Sequence, residues 1–385
     1  MFNFEFWNPT RIIFGKDTIG AVDTYIPKNA RVLIIYGGGS VVRHGTLDLV
    51  KKALGSRTYV EYGGVEPNPQ YSTLMGAVKV GREHNVDFLL AVGGGSVMDG
   101  TKFIAMAMKY EGDALDLLSY KVNPESLEDV IPMGTVVTLP ATGSEMNRGA
   151  VISHGHIKTA VFNDKCYPVF SVLDPTLSFT LPKNQVANGI VDAFVHVLEQ
   201  YVTYPVHGAF QDRTAEGILI SLIENAKPTL ENPTDYDARA NLYWNATMAL
   251  NGLIGAGVPQ DWATHLIGHE ITAMFGLDHA QTLAIIQPAL WEIRKEQKKE
   301  KLAQYAERVW GIHEGTQDEK AQKAIEKTRA FFESIGMKTH LSEYGIEESA
   351  IEGLIKELVA KGHVALSEDS KVTPDVVRTI LKQAM

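Results

Sequence analysis

Two stretches of this chain read alike: V-L-I-I-Y-G-G-G-S at 32–40 and F-L-L-A-V-G-G-G-S at 88–96. Each is a short apolar run, a glycine turn and then apolar residues at helical spacing. A strand that runs straight into a helix returns to its sheet by a crossover, and crossovers join parallel strands. The runs are apolar throughout rather than alternating, so both faces of the sheet must be covered. Thr135–Leu139 (T-V-V-T-L), followed by P-A-T-G-S-E, and Val169–Leu173, ending at Asp174-Pro175, read as further strands of the same sheet. The first part of the chain is therefore predicted to be α/β.

After Leu181-Pro182 the pattern changes. Gln185–Val202, His207–Ala226, Ala238–Leu250, Asp261–Phe275 and Gln281–Arg294 carry helical apolar spacing, as do Lys299–Trp310, Asp318–Ile335 and Ala350–Lys361. No convincing strand stands among them. The expected organisation is an α/β dinucleotide-binding domain over 1–182 and an all-α metal-binding domain over 183–385.

The glycine turns carry chemistry. Glycine lets the backbone approach a ligand closely, and the helix behind it offers free N–H groups and a partial positive charge. That combination binds phosphate. Gly37, Gly38, Gly39 and Ser40, and Gly94, Gly95 and Ser96, are thus candidate cofactor contacts. Neither turn fits G-x-G-x-x-G, because Val42 and Met98 stand at the third glycine position, and neither is a Walker A loop. No acid ends the first strand to take the 2′-hydroxyl of NAD ribose. Instead Gly37–Ser40 is followed by Arg43 and His44, which suits a 2′-phosphate. NADP(H) is favoured on that ground, with NAD(H) still open. Asp99, one turn into the second helix, is read either as an acid favourably placed near a helix N-terminus or, as a catalytic candidate, as a polar contact near the cofactor's reactive end.

The charge balance excludes several other classes. A formal charge of −10 over 385 residues, with no basic stripe beyond a helical stretch at Arg294–Lys301 read as solvated, argues against a nucleic-acid partner. No apolar run is long enough to span a membrane, and M-F-N-F-E-F-W lacks the basic region of a signal peptide. Cys166 is the only cysteine. It is read as a packing residue in a reducing compartment, and a cytoplasmic location is expected.

Three histidines, His265, His269 and His279, fall in T-H-L-I-G-H-E-I-T-A-M-F-G-L-D-H. The order is wrong for a metalloprotease, which needs H-E-x-x-H. On Q-V-A-N-G-I-V-D-A-F-V-H-V-L-E-Q, Asp192 and His196 lie four apart and so share one helical face among apolar neighbours. Asp192, His196, His265 and His279 together make one carboxylate and three imidazoles, a set suited to Zn²⁺ or Fe²⁺ with a position left for substrate. A straight helix from His265 to His279 would hold them about 21 Å apart. The helix must therefore end between them, and Gly276 is placed to end it. His269 is left beside the metal but outside its ligands.

G-G-G-S-x-x-D-x-x-K (Gly93–Lys102), D-x-x-x-H and H-x3-H-x9-H together resemble the iron-containing, or group III, alcohol dehydrogenase family over essentially the whole chain. Y-G-G-G-S, V-E-P-N-P, L-P-A-T-G-S-E-M-N and G-V-P-Q-D-W-A-T-H are most similar to its butanol dehydrogenase branch, which includes broad-range NADPH-dependent aldehyde reductases. The resemblance implies a dehydroquinate synthase-like fold with a cleft between the domains, and a homodimer. It implies Asp192, His196, His265 and His279 as metal ligands. It also adds Asn68, Thr138, Thr142, Asn147, Lys158 and Leu177 to the cofactor contacts. Many relatives end the last motif P-H-G where this chain has Asp278-His279-Ala280, which sets an acid close to the metal.

The expected reaction is reversible hydride transfer between NADP(H) and a small aldehyde or primary alcohol, with the metal as Lewis acid. His269 is the candidate proton relay, since imidazole titrates near neutral pH. The alternatives are an NAD-linked zinc polyol dehydrogenase of the glycerol type and a lyase like dehydroquinate synthase. The lyase would need a cationic cluster for a phosphate substrate, and the metal-bearing segments show few cations.

Overall fold

The structure, a computed structural model, describes residues 1–155 and 157–385. It divides into two compact units: Trp7–Pro182 with Pro233–Thr247, and Met1–Phe6 with Lys183–Asn232 and Met248–Met385.

The first unit is built on a parallel sheet. Its strands are β1 (Arg11–Phe14), β2 (Arg31–Tyr36), β3 (Thr58–Tyr62), β4 (Phe88–Gly93), β5 (Met133–Val137) and β8 (Phe170–Leu173). They lie in the order β1-β8-β5-β4-β2-β3 among the described residues. Two further strands, β6 (Gly149–His154) and β7 (Ile157–Phe162), form a separate antiparallel pair.

The apolar strands alternate between two cores. Val32, Ile34, Phe88, Leu90 and Val92 face one, with Leu47, Val50 and Leu54 of helix Thr46–Leu54 packed on them. Leu33, Ile35, Leu89 and Ala91 face the other, under helices Tyr71–Glu83 and Gly95–Lys109. Burial on both faces is what the unbroken apolar runs predict.

From β2 the chain moves to β3 on one side, and from β4 to β5 on the other. The reversal falls between β2 and β4, which pair in register at Tyr36 and Val92. In an open parallel sheet that switch point, at the carboxyl ends of the strands, is where a ligand binds.

Pro233–Thr247, most of helix Tyr236–Ala249, belongs with the sheet although it follows the change of pattern. Buried Tyr243 donates to the Val137 carbonyl at 3.2 Å, and Arg239 donates to that of Ser178 at 3.2 Å. The Thr247 hydroxyl donates to the Glu145 carboxylate.

The second unit is helical, with Lys183–Tyr201, Ala209–Glu231, Ala263–Phe275, His279–Arg308, Gln317–Ser334, Ile351–Ala360 and Pro374–Gln383. Two expectations are corrected here. Gln281–Arg294 and Lys299–Arg308, the larger part of Lys299–Trp310, lie in one 30-residue helix, because the residues between them are strong helix formers. Nor is Arg294–Lys301 solvated throughout: Glu296, Gln297 and Glu300 are exposed, but Arg294, Lys298 and Lys301 are buried. Asp369, Asp261 with Glu368, and Asp212 hold them at 2.6–2.9 Å. No described helix is long and apolar enough to cross a membrane.

Candidate metal centre and cofactor edge

The helical unit groups three of the four metal candidates, Asp192, His265 and His279, with His196 beside Asp192. Asp192 and His196 share a face of helix Lys183–Tyr201, whose other neighbours are buried apolar residues. His265 lies in the first turn of helix Ala263–Phe275. Gly276, at φ 70°, ends that helix, and its N–H donates to the Thr272 carbonyl at 2.9 Å. The left-handed conformation favours glycine there. His279 opens the next helix. The two helices approach closely at Gly268, where a Cβ would stand 2.6 Å from Thr282 Oγ1.

The result converges on one oxygen. Asp192 Oδ1 lies 3.7 Å from His196 Nε2, 3.9 Å from His265 Nε2 and 3.8 Å from His279 Nε2. The ligand atoms of Asp192, His265 and His279 lie within 4.8 Å of one another. Zinc-type bonds of 2.0–2.2 Å at tetrahedral angles would separate donors by roughly 3.3–3.6 Å. The three distances to Asp192 Oδ1 are within a few tenths of an ångström of that spacing, while the mutually close group is Asp192, His265 and His279, with His196 outside it. His196 stacks on His265 with ring centroids 4.7 Å apart. Burial holds the His196 imidazole down to about 4, against the pull of Asp192. It is therefore neutral at pH 7, the form that can ligate a metal. Asp192 and His196 have side chains 6% and 7% exposed and His279 23%, so the set is most open towards His279.

His269 is half-buried, with its ring 5.0 Å from that of His279 and 6.4 Å from that of His265. Asp278 is the N-cap of the helix that His279 opens. Its carboxylate accepts from Asn188 at 2.8 Å, and its N–H donates to Gln281 at the start of the helix.

Glu199 was not among the expected site residues, yet its buried carboxylate meets His265 Nδ1. Its other oxygen accepts the Thr264 N–H at 2.7 Å. The signal was available: Asp192, His196 and Glu199 follow one helical face at i, i+4 and i+7. Trp262 was also missed. At φ 64° it precedes the His265 helix, and its ring stands edge-on to His265 at 5.3 Å.

The sheet unit gathers the cofactor candidates along its carboxyl edge. Gly37–Ser40 follows β2, Gly94–Ser96 follows β4, Thr138–Asn147 follows β5 and Leu177 follows β8. Asn68, in the segment after β3, adopts φ 57°. Its N–H donates to Ser96 Oγ at 3.3 Å, and its side-chain oxygen accepts from Lys158 at 2.8 Å. Gly94 precedes the 15-residue helix Gly95–Lys109, whose first N–H groups are donors suited to a phosphate. Thr142 fills the space a Cβ on Gly95 would need, at 2.4 Å. A Cβ on Gly38 would meet nothing within 4 Å.

Asp99 anchors this edge. One oxygen accepts from Ser144 Oγ at 2.6 Å and the other from the Val151 N–H at 2.9 Å. Burial pushes its carboxyl up, against Lys102 and these hydrogen bonds. Lys102, fully buried, donates to Ser144 Oγ, Asn147 Oδ1 and the Gly149 carbonyl at 2.8–2.9 Å. Its motif was legible but its role was not. Burial lowers Lys102 to about 8. Cys166 is buried and its thiol is pushed up to about 12, which fits a packing residue.

Comparison with known proteins fits both halves. The family description "Iron-containing alcohol dehydrogenase" matches residues 9–175, and "Fe-containing alcohol dehydrogenase family, C-terminal" matches residues 186–385. The chain belongs to the iron-containing alcohol dehydrogenase family. It is 56% identical to the NADPH-dependent aldehyde reductase YqhD of Escherichia coli, covering 100% of each chain. It is 40% identical to NADP-dependent alcohol dehydrogenase 3 of Entamoeba histolytica over 93% of each. The crystal structure of the Escherichia coli protein superposes with a TM-score of 0.98, covering 100% of this chain and 99% of that one. NADH-dependent butanol dehydrogenase A of Thermotoga maritima, 35% identical, gives 0.94 over 100% and 99%. This iron-containing alcohol dehydrogenase is thus an oxidoreductase, and neither the polyol dehydrogenase nor the lyase reading is favoured.

Proposed function

We propose that this dehydrogenase transfers hydride reversibly between NADP(H) and a small aldehyde or primary alcohol, with Asp192, His196, His265 and His279 holding a divalent metal. The observation that carries the reading is the approach of three imidazole Nε2 atoms to one carboxylate oxygen at 3.7–3.9 Å. Fe²⁺ fits the family, and the same ligands suit Zn²⁺.

When bound, the metal supplies a Lewis acid for the carbonyl or alcohol oxygen and the nicotinamide gives or takes the hydride. The helical unit's part is to hold neutral imidazoles and one carboxylate, open on the His279 side. His269, on that side, holds or moves the proton. In the sheet unit, Gly37–Ser40 takes the adenosine ribose and its 2′-phosphate, and Gly94–Ser96 with the helix behind takes the pyrophosphate. Asn68, Thr138, Thr142, Asn147, Lys158 and Leu177 complete the cofactor contacts. Asp99 works through Ser144, fixing the loop that carries Thr142 and Asn147.

We also propose a homodimer working in the cytoplasm. Phe2, Phe4 and Phe6 are 46–51% exposed, an apolar row of the kind a second copy covers. The single buried cysteine suits a reducing compartment. Light scattering reads the dimer directly.

The test is butanal reduction followed at the reduced nicotinamide band, with NADPH and NADH side by side. Protein stripped of metal is compared with protein reloaded with Fe²⁺ or Zn²⁺. Activity should need the metal and prefer NADPH. Full activity in stripped protein would end the metal reading.

A further inference from the structure

The polar middle of helix His279–Arg308 buries a lysine that joins all three ligand-bearing helices. Lys298 has a wholly buried side chain. It pairs with Asp261 at 2.9 Å and Glu368 at 2.6 Å, and donates to the Val202 carbonyl at 3.0 Å. Val202 follows the helix that carries Asp192 and His196. Asp261 precedes the helix of His265, and its other oxygen accepts the Ala263 N–H at 3.1 Å. Lys298 itself rides on the helix that His279 opens.

Asp261 also reaches Glu199 through the backbone, its N–H donating to the Glu199 carbonyl at 2.8 Å. Glu199 then spends one carboxylate oxygen on the Thr264 N–H and the other on His265 Nδ1. A carboxylate there fixes the proton on Nδ1 and leaves the lone pair on Nε2, the atom aimed at Asp192.

We infer that Glu199 and Lys298 are positioning residues of the metal centre: Glu199 sets the tautomer and ring angle of His265, and Lys298, through Asp261, holds Glu199 and the helix starts in register. The inference rests on the metal-site reading above. Neither residue touches the ion. Burial makes the support rigid: Glu199, Lys298 and Asp261 are 1%, 1% and 6% exposed. A buried lysine bound to two carboxylates and a carbonyl does not change partners cheaply.

The experiment measures metal dissociation constants on the full chain by chelator competition with Co²⁺. It also records the visible spectrum of the Co²⁺ protein and NADPH binding by fluorescence. Glu199→Gln keeps the shape and removes the charge. It should weaken metal binding about ten- to a hundredfold, shift the Co²⁺ bands and leave NADPH affinity unchanged. Lys298→Met should weaken metal binding by up to roughly tenfold, in the same direction. Should that variant not fold, Asp261→Asn breaks the same pair while keeping the cap, and carries the same expectation. His265→Ala separates the two ideas. If it keeps the metal, the metal-site reading has failed. If it releases the metal while Glu199→Gln binds Co²⁺ as wild type does, with an unchanged spectrum, the positioning role alone is overturned. Wild-type affinity in Lys298→Met, or in Asp261→Asn where that replaces it, removes the lysine from the account.

Discussion

Placing an acid at Gly38 should reverse the cofactor preference. The structure makes this the right glycine of the three. A Cβ on Gly38 meets nothing within 4 Å, so Gly38→Asp adds no clash. Gly39 is the poorer choice. It sits at φ 93°, which costs a non-glycine residue about 1–2 kcal/mol. A carboxylate there would also lie beside Arg43, whose Nη1 is 3.6 Å from the Cβ position. At Gly38 two effects add. The 2′-hydroxyl of NADH gains a carboxylate to donate to, a charge-assisted hydrogen bond worth about 1.5–3 kcal/mol. The 2′-phosphate of NADPH meets a second negative charge, and at an assumed separation of about 6 Å the repulsion costs about 1 kcal/mol in water at moderate salt. The sum of about 2.5–4 kcal/mol is roughly a seventyfold to thousandfold change in relative kcat/KM. Wild type should prefer NADPH about ten- to a hundredfold, so Gly38→Asp should reach parity or favour NADH, mostly through KM. The assay is butanal reduction with each cofactor at two salt concentrations, with the phosphate penalty shrinking at higher salt. Equal use of both cofactors by wild type, unmoved in a Gly38→Asp protein of normal Tm, would mean this loop does not hold the adenosine ribose.

Three other perturbations read separate parts of the molecule. His269→Ala should keep its metal, lose about a hundredfold in kcat and flatten the pH profile; loss of metal would show that His269 is a ligand. Gly268→Ala would press a methyl to within 2.6 Å of Thr282 Oγ1. It should cost about 1–3 kcal/mol and weaken metal binding, whereas Gly38→Ala should leave Tm unchanged; equal Tm values for the two would refute the close approach. Lys102 falls from 10.5 to about 8 in the fold. The unfolded chain therefore binds more protons between those values, and this lysine's contribution to stability rises with pH through that window by roughly 3 kcal/mol in all. The stability of wild type relative to Lys102→Met, followed by Tm from pH 7 to 10, should grow; a flat difference would contradict the lowered value.

The features legible in the sequence were local ones. A strand, three glycines and a helix fall within about fifteen residues, so the parallel sheet and the glycine turns at its edge could be read at β2 and β4. The histidine spacing and the break at Gly276 were legible for the same reason, since a helix ending is written in its own residues. Less was legible where a strand is short or lies at an edge. The four residues of β1 and the half-exposed T-Y-V-E-Y of β3 carry little of the apolar run that marked the central strands. Helix Tyr236–Ala249 carries the helical period, but nothing in that period says which core it joins. Tyr243 and Thr247 decide that through Val137 and Glu145, about a hundred residues away.

Lys298 shows where such reading stops. R-K-E-Q-K-K-E-K has the composition of a solvated helix face, and on composition alone a lysine there belongs in water. What removes it from water is a pair of acids, Asp261 at 37 residues' distance and Glu368 at 70. Neither acid is marked by any local pattern. The same limit hid half of Glu199. Its place on the helix face of Asp192 and His196 was readable, but its contact with His265 lies 66 residues on. The proposed ligands Asp192 and His196 repeat at a helical interval because one helix must present them together. The groups that hold those ligands in place come from whichever elements pack behind, so their spacing follows the tertiary fold and leaves no period in the chain.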